Sequence, residues 1–171
     1  MTTHAPATGG VSTGTAAAAE FRRFMRRWPS GVVVITSGSA DEPSGCTVNA
    51  FLSVSLSPPL LLVSLAEGSG TLAAIAGRGA FGVNILTWRQ RGLAARFAAP
   101  AADRFAGLAR RVELGVPLLR DAAAVAVCGL DRMVPAADHV LVLGAVRWCE
   151  LGDASEPVVF FEREYHALPL P

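Results

Sequence analysis

The sequence predicts a mainly β protein, a single closed antiparallel barrel with a few short helices, on three observations. About seven short apolar runs follow one another, punctuated tightly by Gly, Pro, Ser and Asn. The helical stretches are isolated among these runs instead of alternating with them, which argues against a doubly wound parallel sheet. The 171 residues are 51% hydrophobic and 17% charged, enough apolar material for one sizeable core at roughly 100–200 residues per domain. The expected organisation is a flexible tail over residues 1–18, rich in Thr, Ala, Gly and Pro, and one domain over residues 19–171.

The elements follow in chain order. Structure is expected to begin at Glu20, where Phe21, Phe24, Met25 and Trp28 fall at i, i+3, i+4 and i+7 and Arg22, Arg23, Arg26 and Arg27 take the other face. This is an amphipathic helix stopped by Pro29, its arginines read as a solvated face and not as a phosphate site. Residues 31–36 (GVVVIT) are a strand, and 37–45 a polar turn. Residues 47–56 (TVNAFLSVSL) alternate and break at Ser57-Pro58-Pro59; residues 60–65 (LLLVSL) and 81–86 (FGVNIL) come next. Residues 123–130, 140–150 and 157–161 complete the strands. Helices interrupt at 71–76, with Ser69 in place as N-cap, and at 89–98.

Composition excludes several functions. The net charge is +1, and all 15 basic residues other than histidine are Arg. Without lysine there is no Schiff base and no P-loop amine. Near-neutral charge argues against nucleic acid or an anionic membrane as the main partner. Low charge with a mean hydropathy of +0.41 suggests that some apolar surface meets another subunit or a planar ligand. Cys46, Cys128 and Cys149 are odd in number and lack metal-ligand spacing, so they read as free thiols. No signal peptide and no run of membrane-spanning length is evident, so a cytoplasmic location is expected.

Gly77-Arg78-Gly79-Ala80-Phe81-Gly82 matches G-x-G-x-x-G, but a helix precedes it and a strand follows. A dinucleotide fingerprint needs the reverse order, so this is a helix-to-strand turn. Hydrolase and zinc-protease motifs are absent, and the three histidines, His4, His139 and His166, form no cluster.

What remains is a density of small polar residues within apparently buried strands. Residues 44–50 (SGCTVNA), with Ser53 and Ser55, set hydroxyls, an amide and backbone along one ribbon. A flat heteroaromatic ligand needs such a surface: backbone groups for ring edges, small side chains for close approach and few charges. Ser64 and Ser69-Gly70-Thr71, at a helix start, offer hydroxyls and free amides to a phosphate. Ordinary strand and cap chemistry is the better explanation of any single one of these residues; their joint occurrence points to the ligand surface, and composition does not name the ligand.

The runs PSGVVVIT, SGCTVNAFLSVSLSPPLLLVSL, SGTLAAI, FGVNIL, QRGLAARF, Asp103-Arg104-Phe105 and Asp138-His139 occur in one order between Phe21 and Leu168. In this the chain resembles the short-chain flavin reductases, the reductase components of two-component flavin monooxygenases. The resemblance implies an FMN-binding split β-barrel of Greek-key, antiparallel type, a homodimer with flavin near the subunit interface, and reduction of FMN or FAD by NADH or NADPH. It implies that Thr47, Val48, Asn49 and Ala50 line the isoalloxazine, with Ser53 nearby and Ser30 approaching from the first-strand turn. Ser64, Leu65, Ser69 and Thr71 are implied to meet the ribityl chain and phosphate, Phe97 and Arg104 to close over the flavin, His139 to place the nicotinamide, and Tyr165 to border the same pocket. Two positions depart from the family pattern: Arg163 stands where Gly precedes the aromatic by two residues, and Ala137 where Gly precedes Asp-His.

The implied reaction is hydride transfer from nicotinamide to flavin, after which reduced flavin passes to a separate monooxygenase. Three alternatives stand beside it: a flavin-storing or flavin-sensing protein on the same barrel, a relative of the pyridoxamine-phosphate oxidases, and, least supported, a haem protein ligated by His139.

Overall fold

The computed structural model describes residues 15–100, 103–153 and 156–169. Their elements are α1 (Thr15–Met25), β1 (Ser30–Gly31), β2 (Val33–Gly38), β3 (Pro43–Val48), β4 (Phe51–Leu56), β5 (Pro59–Ala66), α2 (Gly70–Arg78), β6 (Ala80–Ile85), α3 (Arg91–Ala98), β7 (Arg110–Glu113), β8 (Val116–Leu119), β9 (Ala124–Ala136), β10 (His139–Leu151), β11 (Val158–Phe161) and β12 (Glu164–Ala167). A 3₁₀ turn, Trp88–Gln90, leads into α3.

The main sheet has seven antiparallel strands in the order β3-β2-β6-β9-β10-β5-β4. This bears out the mainly β, antiparallel architecture and corrects its closure. Strands β3 and β4 are the two edges, and the chain crosses from one to the other through Asn49 and Ala50. Val48 still pairs with Val33 of β2, while Ala50 already accepts a 3.0 Å bond from the Ser64 amide beside β5. The run 47–56 is therefore two strands that change partner at Asn49, where one continuous ribbon is expected. The alternation does not carry one face through the break: Val48 of β3 is buried, whereas Leu52, Val54 and Leu56 of β4 are exposed.

Other boundaries differ for local reasons. The turn expected over 37–45 is short, because β2 runs to Gly38 and β3 starts at Pro43. Gly38 makes this possible with φ 86°. The first helix starts at Thr15, so residues 15–18 are helical and do not belong to a tail; alanines extend a helix at little cost. The remainder of the expected tail, residues 1–14, lies outside the described residues. The hairpin β7–β8 and strand β12 are additions, too short and too irregular in hydrophobicity to read from periodicity.

Beneath the main sheet Ile35, Val63, Ile75, Phe81 and Val142 are fully buried. A second cluster on the other side of β2 joins Val34, Leu86, Ala94, Phe97 and Phe105, with Phe160 and Tyr165 against it. Between them lies a buried polar clamp. The Asn84 amide donates to Val34 O (2.9 Å) and Thr36 Oγ1 (3.2 Å), and its oxygen accepts from Leu119 N (2.7 Å). One side chain thus ties β2, β6 and β8 together, each of its polar atoms satisfied.

The G-x-G-x-x-G segment is the expected helix-to-strand turn: Gly79 caps α2 at φ 71° and donates to Ile75 O. Helix α1 does not bury its apolar stripe in this chain: Phe21, Phe24 and Trp28 are each more than 60% exposed. Its C-terminal side is fastened by the Arg27–Glu162 ion pair (3.0 Å) and a bond from Glu162 N to Arg26 O.

Candidate functional site

The change of strand partner at Asn49 creates the chemistry-bearing region. Around it meet the end of β3, the end of β5, the start of β10 and the N-terminus of α2. Ser64 faces Leu141, Leu65 faces Val140, and Ala66 faces His139 across the β5–β10 ladder. The turn after β5 is held by bonds from Glu67 N to Asp138 O (3.0 Å) and Ser69 N to Ala66 O (2.9 Å). Ser64, Ser69 and His139 are thereby neighbours, as are Asn49 and Ala50 at the crossing.

At the start of α2, Thr71 is buried and its hydroxyl lies 3.3 Å from that of Ser44. Ser69 occupies the N-cap position as expected, but its hydroxyl makes no capping bond. It stands beside the Cys46 thiol with that of Thr71. Burial pushes this thiol above its ordinary value; the two hydroxyls and the positive charge of Arg104 oppose the shift. Ser44 and Cys46 thus join Ser69 and Thr71 in one cluster of small polar groups, carrying no negative charge, at a helix N-terminus.

The opposite side of β3 is braced by α3. A capping box between Thr87 and Gln90 sets the direction of entry into α3. The Thr47 hydroxyl donates to Ala94 O (2.7 Å), which leaves its oxygen lone pairs as the free hydrogen-bonding capacity. The rings of Phe97 and Phe105 meet edge to face, centroids 4.9 Å apart, and both press on Gly45. A Cβ there would come within 3.0 Å of Phe97 and 3.1 Å of Phe105. Phe97 is only 1% exposed, so it braces β3 from within the core and does not close over an open surface. Arg104 donates to Gly45 O (2.8 Å) and Ala99 O (3.0 Å).

Val48 and Leu65 turn their side chains into the core, and their backbone groups face Val33 and Val140 in the two ladders, so neither is offered to a ligand directly. Ser53 is exposed on edge strand β4, opposite Leu61. Ser30 and Tyr165 belong to a different sheet, β1-β11-β12, joined through Phe160: Ser30 pairs with it and Tyr165 packs on it at 5.5 Å. Partial burial raises the Tyr165 phenol above its ordinary value. The Ser30 hydroxyl is buried with no hydrogen-bond partner among the described residues, a condition that calls for a partner from outside.

His139 opens β10, its Nδ1 2.8 Å from Asp138 Oδ1. That bond holds the Asp138 carboxyl below its usual range and leaves Nε2 of a half-exposed ring facing outward. The departures from the family pattern fall on left-handed backbone: Ala137 has φ 55° and Arg163 φ 71°. These are glycine-favouring geometries built with other residues.

A cavity of about 1180 Å³ opens elsewhere, lined by Gln90, Leu93, Leu119, Arg120 and Leu151. Leu151 is the last residue of β10 and His139 the first, roughly 40 Å apart along an extended strand. Asn49 and Ala50, far from that cavity's end of β10, are exposed. The chemistry around them suits a flavin: free backbone at a sheet edge and an uncharged hydroxyl cluster at a helix start; the orphaned Ser30 hydroxyl lies on the β1-β11-β12 sheet. The free capacity of β3 follows from its ladder, since Gly45 turns its carbonyl away from β2 and Thr47, two residues on, turns its amide and carbonyl the same way.

Comparison with known proteins gives a consistent result. Residues 25–169 match the family model described as the flavin reductase like domain. The chain is 34% identical over 151 residues to the reductase component of 4-hydroxyphenylacetate 3-monooxygenase of Thermus thermophilus, covering 88% of this chain and 97% of that one. It is 39% identical over 160 residues to an NADH-dependent FMN reductase of Streptomyces nodosus subsp. asukaensis, covering 89% and 85%. Its fold is similar to that of the styrene monooxygenase flavin reductase of Pseudomonas putida S12, with a TM-score of 0.81, 33% identity and coverage of 89% and 99%.

Proposed function

The chain belongs to the flavin reductase family, and from that premise we propose that it takes up free FMN or FAD at the crossing between β3 and β4, reduces it with NADH or NADPH, and releases it to a separate monooxygenase. The observation that carries this reading is the edge at Asn49, where the outward backbone of β3, small hydroxyls and His139 come together. When bound together, nicotinamide and flavin supply the hydride chemistry themselves.

The chain's own residues bind and orient. The outward amide and carbonyl of Thr47, with Asn49, Ala50 and Ser53, hold the edge of the flavin ring, and Val48 and Leu65 support that edge from within the core. Ser64, Ser69 and Thr71 receive the ribityl chain and phosphate, and Ser30 and Tyr165 form a further wall. His139, steadied by Asp138, orients the nicotinamide through Nε2; hydride transfer gains mainly from such face-to-face placement. Phe97 and Arg104 support the flavin-facing strand. The described residues offer no group of three or more metal-ligating side chains.

A second copy of the chain completes the site. The open surface at Asn49, the exposed Leu52, Val54 and Leu56 of edge strand β4, and the uncovered stripe of α1 support a homodimer. Among the described residues no helix is long and apolar enough to cross a membrane, and we place the protein in the cytoplasm with its oxygenase. The test is NADH and NADPH oxidation by purified protein with and without added FMN or FAD. Turnover that requires free flavin supports this function; tight flavin binding without turnover would replace it with storage or sensing.

A further inference from the structure

Resting on the flavin reading above, we infer that Arg104 is a positioning residue, a latch that sets the outer edge of β3 through the Gly45 carbonyl and does not itself hold the flavin phosphate. Two of its five N–H donors are committed: Nη1 to Gly45 O and Nε to Ala99 O. Gly45 lies on β3 and Ala99 caps α3, so one planar guanidinium joins β3 to the end of α3. Arg96 adds a second fastening to the same loop, donating to Ala106 O at 2.6 Å.

The contacts around Gly45 explain why its place matters. Its Cα is wedged between Phe97 and Phe105, and its carbonyl is the partner of Arg104. Thr47, two residues along the same edge, is anchored to α3 through Ala94. Gly45 and Thr47 are thus held at one spacing from α3, and the backbone between them and Ala50 presents its groups in one fixed line. Loss of the guanidinium leaves the Gly45 carbonyl without its charged partner and removes a tie between β3 and the end of α3, so the whole ring-binding edge loosens, not one phosphate contact.

This makes the latch separable from a phosphate ligand. Riboflavin carries the same ring and ribityl chain as FMN but lacks the phosphate. Equilibrium binding of each is measured by titrating flavin fluorescence, well below the melting temperature of each variant. The latch predicts that Arg104→Ala weakens FMN and riboflavin by the same factor, roughly tenfold. Arg104→Lys, which keeps the charge but lacks the planar fork, is expected to weaken both by a smaller, again equal, factor. A loss confined to FMN, or wild-type FMN affinity in Arg104→Lys, would assign the guanidinium to the phosphate and overturn the latch. No loss for either flavin would overturn it as well. If Arg104→Ala does not fold, Arg104→Lys decides alone. A wild-type protein that binds neither flavin would refute the flavin reading itself, and the latch with it.

Discussion

His139 and Asp138 are adjacent in sequence, yet their side chains meet: Nδ1 of the imidazole lies 2.8 Å from Oδ1 of the carboxylate. The turn that makes this possible has Ala137 at φ 55°. It is held to the end of β5 by the bond from Glu67 N to Asp138 O. The carboxylate thereby orients the ring that we propose places the nicotinamide.

Removing the ring should separate donor use from flavin binding. His139→Ala is expected to reduce kcat/KM for NADH roughly tenfold or more, since misplaced reactants lose up to about a hundredfold, while flavin affinity changes far less. Asp138→Asn should fall between wild type and His139→Ala. Steady-state kinetics in NADH beside a flavin titration check both; equal losses in the two would count against a nicotinamide role.

The left-handed turns predict gains in stability. Ala137→Gly and Arg163→Gly each relieve a side chain at positive φ, a conformation costing about 1–2 kcal/mol for residues with a Cβ. Greater unfolded-state freedom offsets part of this, leaving a net gain of about 0.5–1 kcal/mol each. Denaturant midpoints measure it directly.

The buried clamp predicts the opposite. Asn84→Ala leaves the Leu119 amide without its acceptor inside the core and removes the amide that ties β2 to β6 and β8. A loss of about 2–4 kcal/mol is expected, from unsatisfied buried polar groups and the space left behind. The β7–β8 hairpin should then gain hydrogen exchange before the rest of the sheet does.

Alkaline pH should expose the core thiol. Burial raises Cys128 to about 12, above its ordinary unfolded value. A thiol that prefers to stay protonated when folded stabilises fully below that unfolded value and loses its contribution as pH rises toward the folded one. Stability should therefore fall from about pH 9 upward, and less steeply in Cys128→Ala. Under native conditions a maleimide should modify the exposed Cys149 and spare the buried Cys128.

Most of the fold was legible because apolar runs and turn residues report burial directly. The split was not. Ala50-Phe51-Leu52 interrupt the alternation of residues 47–56, but so short an interruption does not say that the chain leaves β2 for β5 at Asn49. The site was legible to a similar extent. Small polar residues in buried strands mark Ser44, Thr47, Ser64 and Thr71, but position alone hides that Phe97 sits inside the core and that the Thr47 hydroxyl is spent on Ala94. Gly45 carried a usable signal, since glycine inside a strand marks a close approach, here of Phe97 and Phe105. The Ser30 hydroxyl carried none: its isolation is a property of the β1-β11-β12 sheet, assembled from residues far apart in the chain.

The central claim is that flavin is turned over and released. The most direct measurement is anaerobic incubation of a catalytic amount of protein with NADH and excess FMN, followed by ultrafiltration and assay of reduced flavin on each side of the membrane. The account predicts many equivalents of reduced FMN per protein in the filtrate. Reduced flavin limited to one equivalent and retained with the protein would contradict it.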